Sequence, residues 1–251
     1  MKKMTVKFLI AFSALLGSLV LGACSEASIE ELDDQVAEAI KNGPPDKIKK
    51  YAEKACEKNS VYGCHTLGGF YETMADYRNA ALYLEKSCKM GIEPWSARSC
   101  GVLGTIYYKG IGVEQDFTLA DIYFEKSCNL SLKDGYGCYA IGERLARLKY
   151  YEKSIPYFEN GCILNAPEAC VEIGAIYHDG LGVDVNKAKA FVFLEKACEL
   201  NDGQGCFMVA GKHMLGINTP ADTTKAMQYL KKACDLGFEA SCIIYGQYKN
   251  P

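Results

Sequence analysis

Twelve of the thirteen cysteines in this chain fall into six pairs: Cys56 with Cys64, Cys88 with Cys100, Cys128 with Cys138, Cys162 with Cys170, Cys198 with Cys206 and Cys234 with Cys242. Four of the pairs share a spacing of eight, and the pairs recur at intervals of 32 to 40 residues. A fixed period of this length marks stacked supersecondary units, each of which buries its apolar face only against a neighbour.

The remaining cysteine, Cys24, stands in a different context. Met1-Lys2-Lys3 and Lys7 precede an apolar stretch from Phe8 to Leu21, which ends Leu21-Gly22-Ala23-Cys24. A basic start, a short apolar run and small residues before a cut site describe a secretory signal. About 14 apolar residues are too few to cross ~30 Å of hydrocarbon. Leu21 to Cys24 resembles the bacterial lipobox, which implies that Cys24 becomes the lipidated first residue. The alternative is a plain signal peptide followed by a coincidental cysteine. Two or three acyl chains anchor stably where one does not. Ser25 stands where an aspartate would resemble an inner-membrane retention signal, so the outer membrane of a Gram-negative envelope is expected. The expected organisation is residues 1–23 as signal, 24–27 as a short tether and 28–251 as the folded body. Without the signal's three lysines, 25 basic side chains face 31 acidic ones. Such a surface has no electrostatic reason to seek nucleic acid.

Other positions keep step with the cysteines. Four residues after the second cysteine of each pair stand Gly68, Gly104, Gly142, Gly174, Ala210 and Gly246. Seven after it stand Tyr71, Tyr107, Leu145, Tyr177, His213 and Lys249. Eight before the first cysteine stand Ile48, Ala80, Ala120, Ser154, Ala190 and Ala226; five before it, Tyr51, Tyr83, Tyr123, Tyr157, Phe193 and Tyr229. Offsets of four and seven are helical. Each unit therefore reads as two helices, with small residues where backbones approach and aromatic ones filling between. Gly110 to Asp116 and Gly180 to Asn186 are one loop used twice, with glycines ending one helix and Asp116 or Asn186 capping the next. Gly216 to Pro220 is a degenerate copy; Tyr71 to Tyr77 and Leu145 to Tyr151 are shorter turns. Ser28 and Glu31 have capping-box spacing at the first helix.

Leu103-Gly104-x-x-Tyr107-x-x-Gly110-x-Gly112-Val113, followed by Ala120-x-x-Tyr123-Phe124, resembles the Sel-1-like repeat, a relative of the tetratricopeptide repeat. Residues 170–198 match as well, and the cysteine pairs resemble the secreted, cysteine-rich branch known from Helicobacter. The resemblance covers roughly residues 45–249. It implies an all-α fold, an α/α solenoid with a right-handed superhelix and about six helix pairs. Each cysteine pair then falls between one unit's second helix and the next unit's first. Cys198 is read as ending a helix, Glu199 to Gly205 as the turn, and Cys206 as beginning the next. A disulfide is expected within each pair, contributing ~2.5 kcal/mol for a ~9-residue loop. The rival reading is metal, but structural zinc favours cysteines two to four residues apart. No metal or cofactor is expected.

The resemblance also implies penicillin binding or weak β-lactamase activity for some members. Ser-x-x-Lys, Ser-Asp-Asn and Lys-Thr-Gly do not occur, so no catalytic residue is assigned. The three histidines lie in three repeats: His65 is expected on the surface, His213 in the core, and His178 at a helix end. The candidate binding residue is Trp95, the sole tryptophan, in the longest inter-cysteine stretch. It reads either as an interface anchor or as cover for a solenoid edge. The function expected is an envelope-anchored scaffold or adaptor, of immunity or host-interaction type, binding a protein, a peptide or a peptidoglycan fragment.

Overall fold

The computed structural model of the chain describes residues 27–217 and 220–249. Cys24 and the signal lie outside these residues, as do Asn218 and Thr219 of the degenerate loop. Thirteen helices run through the described residues, with no strand among them. They are α1 (Ile29–Asn42), α2 (Pro45–Glu57), α3 (Val61–Thr73), α4 (Tyr77–Met90), α5 (Trp95–Lys109), α6 (Phe117–Leu130), α7 (Tyr136–Arg147), α8 (Tyr151–Ile163), α9 (Pro167–Asp179), α10 (Lys187–Glu199), α11 (Gly203–Leu215), α12 (Thr223–Asp235) and α13 (Glu239–Lys249). Each packs on the next to form an α/α solenoid of six pairs, with α13 following the sixth. No helix among the described residues is long and apolar enough to cross a membrane.

Two kinds of junction alternate along the stack. Within a pair, the small residue of the odd helix receives a knob from the even one. A Cβ on Gly104 would stand 2.7 Å from the Phe124 ring, and one on Gly142 2.8 Å from that of Phe158. Leu84 and Leu194 fill Gly68 and Gly174 in the same way. Ala80, Ala120, Ala190 and Ala226 are wholly buried on the even helices. The aromatic slots then pair face to face: Tyr71 on Tyr83, Tyr107 on Tyr123 and Tyr177 on Phe193, with centroids 5.5 to 6.1 Å apart. His213 stacks on Tyr229 at 5.6 Å, the core packing expected of it.

Between pairs stand the six expected disulfides. Cys56 is bonded to Cys64, Cys88 to Cys100, Cys128 to Cys138, Cys162 to Cys170, Cys198 to Cys206 and Cys234 to Cys242, with Cα atoms 4.5 to 4.9 Å apart. Cys64, Cys100, Cys138, Cys170 and Cys206 are wholly buried on the odd helices. Cys242, on α13, is only half-buried. Such closeness needs small neighbours, and every cysteine of the six pairs is preceded by one. Gly63 faces Ala55, Gly137 faces Ser127, Ala169 faces Gly161 and Gly205 faces Ala197.

The placement of the cysteines relative to the turns differs from the sequence reading. Cys198 does not end its helix and Cys206 does not begin the next: α10 and α11 are separated by only Leu200 to Asp202. Cys64, Cys100, Cys138, Cys170 and Cys242 likewise lie inside α3, α5, α7, α9 and α13. The turns can be short because their middle residue is left-handed: Asn59, Asn165 and Asn201 have φ of 65 to 66°. Asparagine tolerates that region, which lets three residues reverse the chain. Lys86 and Lys232 donate to the carbonyls of Cys56 and Cys198, capping the end of the preceding even helix.

The longer loops behave as expected. Gly110 and Gly112 have φ of 65° and 71°, and Asp116 accepts from the Leu119 amide. Gly112 also lies against Tyr77 of the preceding pair, where a Cβ would come within 2.6 Å of that residue's own Cβ. Ser28 and Glu31 form the capping box on α1.

Two glycine substitutions test the knob-and-notch rule. Gly142→Ala forces a methyl into the Phe158 ring and is expected to cost about 1–3 kcal/mol. Gly69→Ala, also inside a helix but with nothing within 4 Å of its added Cβ, is expected to stabilise by up to about 1 kcal/mol. Chemical denaturation of the two variants checks the contrast.

Candidate functional site

Odd-numbered helices touch one another from pair to pair, whereas among the even-numbered ones only α8 and α10 make comparable contact. The odd helices are thus crowded together and line the inner, concave side. The small residues beside the disulfides permit that crowding.

On this side the α4–α5 junction departs from most of the others. Helix α5 begins five residues before its cysteine, whereas α3, α9 and α11 begin three before theirs. The added residues place Trp95 and Ser96 at its start. The Trp95 ring lies 4.7 Å from the Tyr62 ring and 5.1 Å from that of His65. The Arg98 guanidinium stands 5.4 Å from the centre of the same indole. Trp95 is half-buried: it covers the α3–α5 junction and also leaves part of its ring to solvent, so both readings of this residue have a physical basis.

His65 is not the surface residue expected. Its imidazole is packed between α3 and α5, with Nδ1 2.9 Å from Ser99 Oγ. Ser99 is wholly buried and donates to Ser87 Oγ, which in turn donates to the Val61 carbonyl. The missed signal was that Ser87 and Ser99 meet across one junction in small slots, hydroxyl against hydroxyl, where other junctions pair Ala55 with Gly63 or Ala197 with Gly205. Burial, reinforced by the charge of Arg98, lowers the His65 pKa to about 4.

Beside this cluster a cavity of about 350 Å³ opens between α3, α5 and α7. Its lining includes His65, Arg98, Gly101, Val102, Asp134 and Tyr136. Arg98 Nε stands 3.8 Å from Asp134 Oδ2, too far for a hydrogen bond. The Tyr136 hydroxyl is 3.0 Å from Thr105 Oγ1. His178 and His213 take no part; the first bonds Asp179 at the end of α9 and the second stacks on Tyr229. Among the described residues no group of histidine, cysteine and carboxylate side chains has the arrangement of a metal site. The chemistry available is recognition: an aromatic shelf, a cation, a carboxylate and an imidazole around one recess.

The model of the family described as Sel1 repeat matches residues 62–92, 97–132, 167–202 and 203–238. The unmatched stretch 133–166 holds α7 and α8, whose turn is shortened and whose aromatic slot is Leu145; the helices nonetheless pack as a regular pair. None of the curated proteins compared matches the sequence. Among solved structures, a Sel1 repeat protein from Oxalobacter formigenes superposes with a TM-score of 0.72 at 16% identity, over 85% of this chain and 86% of that one. A protective antigen of uropathogenic Escherichia coli strains displaying an SLR fold superposes with 0.50 at 12% identity, over 95% of this chain but only 58% of its own length. The C-terminal part of a TPR repeat-containing protein from Cytophaga hutchinsonii gives 0.50 at 15% identity, over 92% and 89%. At these identities the likeness is one of fold.

The half-buried imidazole yields a pH prediction. His65 is neutral when folded and titrates near 6.5 when unfolded. The unfolded chain therefore binds the extra proton between pH 6.5 and about 4. Stability due to this group is complete above that window and falls as pH drops through it. A histidine NMR titration should find His65 near 4, and Arg98→Ala should raise it.

Proposed function

We infer that this chain, which belongs to the Sel1 repeat family, acts as a scaffold that holds a protein or peptide partner on its concave face at the Trp95 cluster. The observation that carries this reading is the cluster of Tyr62, His65, Trp95 and Arg98, of which His65 and Arg98 line the α3–α5–α7 cavity. Aromatic and arginine side chains beside a recess are the usual anchors of an interface, and stacked helix pairs present such anchors on an extended curved surface. Six bridges and the capped turns hold that surface in one shape, which lowers the ordering cost of binding.

The cellular setting follows from the same residues. Disulfides in this number belong to an oxidising compartment outside the cytoplasm. We further propose that residues 1–23 are removed on export, that Cys24 is lipidated, and that the protein sits in the envelope facing the periplasm or the cell surface. Support comes from the lipobox-like Leu21 to Cys24 and from the fold starting so soon after it. Ser28 already caps α1, and the Ala27 carbonyl accepts from Lys58. A tether of about four residues reaches roughly 14 Å, so the solenoid stays close to its membrane. An adaptor working at that surface, including one that masks a toxic effector or meets a host, fits this placement.

Two experiments separate anchor from scaffold. Metabolic labelling with an alkyne fatty acid is expected to mark the chain, and Cys24→Ser to abolish the label and release the protein from membranes with its six bridges intact. A photo-crosslinking residue in place of Tyr136, on the concave side, is expected to trap a partner that the same residue in place of Val192, exposed on α10, does not. Equal trapping from both positions would remove the concave-face reading.

A further inference from the structure

The cavity borders a position at which the repeat rule is broken. The residue following the second cysteine is His65, Tyr139, Val171, Phe207 or Ile243 in five copies, and Gly101 in the sixth. A side chain there would press on Ser127 and Tyr136; its first carbon alone would stand 3.2 and 3.3 Å from their atoms. The recess lies beside this departure, where the missing side chain lets Ser127 and Tyr136 sit close against the helix.

The polar groups around it have a defined sense. The Val61 carbonyl has no proton, so the Ser87 hydroxyl donates to it. Ser99 donates its own proton to Ser87. Ser99 Oγ therefore accepts from His65, which assigns the proton of this neutral imidazole to Nδ1. Nε2 is left as a bare acceptor, with no hydrogen-bond partner among the described residues. Across the recess, Arg98 has donors that Asp134 does not engage. An acceptor and a donor set on one small cavity select among ligand groups. A carboxylate suits Arg98 but turns its lone pairs toward Nε2 and meets the charge of Asp134. An ammonium suits Nε2 and Asp134 but meets Arg98. A neutral group with a carbonyl beside an N–H suits both, and leaves the Arg98–Asp134 pair undisturbed.

We propose that the α3–α5–α7 cavity is a receptor for an amide group of an extended peptide, whose carbonyl accepts from Arg98, whose N–H donates to His65 Nε2, and whose neighbouring side chain lies on Trp95. The proposal rests on the concave-face reading and names its ligand class. A peptide is favoured over the acetamido group of an amino sugar because the recess sits in a continuous run of odd helices, along which an extended chain continues.

The test uses the full, oxidised chain labelled with 15N at histidine, and two probes that differ in one atom. N-methyl-3-phenylpropanamide has one amide and one ring; methyl 3-phenylpropanoate replaces the N–H with oxygen. Before any addition, the spectrum should show His65 protonated at Nδ1. The amide should shift the His65 Nε2 resonance and leave His178 and His213 unmoved. The ester should bind about tenfold more weakly, as loss of a hydrogen bond to a site built for it requires. Gly101→Val, which places in this repeat the residue Val171 provides in another, should abolish the shift with helix content and thiol count unchanged. An Nε2-protonated His65, equal binding of amide and ester, or no shift at any probe concentration would overturn the proposal. So would a shift caused by N-acetylglucosamine and not by the amide. Crosslinking from Tyr136 with equal affinity for the two probes would overturn this site while leaving the scaffold reading in place.

Discussion

Everything in this fold depends on how closely two helices approach where one pair meets the next. The disulfide sets that distance, and the small residue before each cysteine makes it sterically possible. Neither device works alone. A bridge between helices held apart by leucine-sized neighbours would force them off their packing, and glycine or alanine without a bridge leaves little apolar area to hold the junction. With both in place, the even helix of one pair and the odd helix of the next act as one rigid unit. The lysines that cap Cys56 and Cys198 close the remaining exposed carbonyls at the same place.

This arrangement also produces the curvature. Tight junctions beside the cysteines bring the odd helices into mutual contact, while the large knobs within pairs keep most of the even helices apart. A concave side follows from alternating small and large contacts, and each contact is local. Stability in such a stack is close to a sum of neighbouring terms, so one junction can depart from the rule without unsettling the others. The α3–α5 junction does so: Ser87 and Ser99 stand where other junctions have alanine and glycine, an extended helix start carries Trp95, and Gly101 lets Ser127 and Tyr136 close in.

The period made most of this architecture readable before any coordinate. The pairing of Cys64, Cys100, Cys138, Cys170, Cys206 and Cys242 with their upstream partners, the Gly104 and Ala120 notches, the stacked aromatic slots and the Asp116 cap all occupy positions that repeat. Repetition distinguishes a structural requirement from chance. The lengths of the junction turns were not readable from the cysteines alone. Their shortness rests on a left-handed residue, and the clue was the asparagine three positions after Cys56, Cys162 and Cys198. His65 was misplaced for a different reason. It follows Cys64 as Val171 follows Cys170 and Phe207 follows Cys206, but the period says nothing of a ring nitrogen's partner. That partner, Ser99, lies 34 residues away on the next odd helix.

The departures therefore carry the functional information, because the repeat itself only builds a rod. A residue that obeys the period is explained by packing and needs no further role. Tyr107, Tyr177 and His213 keep the period, and His213 stacks on Tyr229 as the aromatic slots do. A residue that breaks the period at some cost in packing is different. Gly101 gives up the side chain that the other copies carry and lets Ser127 and Tyr136 approach. Ser99 and Ser87 bury hydroxyls that must then find partners, which costs more than alanine would unless the chain of hydrogen bonds is complete. It is complete, and it ends on an imidazole that lines the cavity and whose second nitrogen has no hydrogen-bond partner among the described residues. A rigid rod that interrupts its own packing at one junction, and leaves an aromatic shelf, a guanidinium and a bare acceptor there, has the makings of a binding site at that junction.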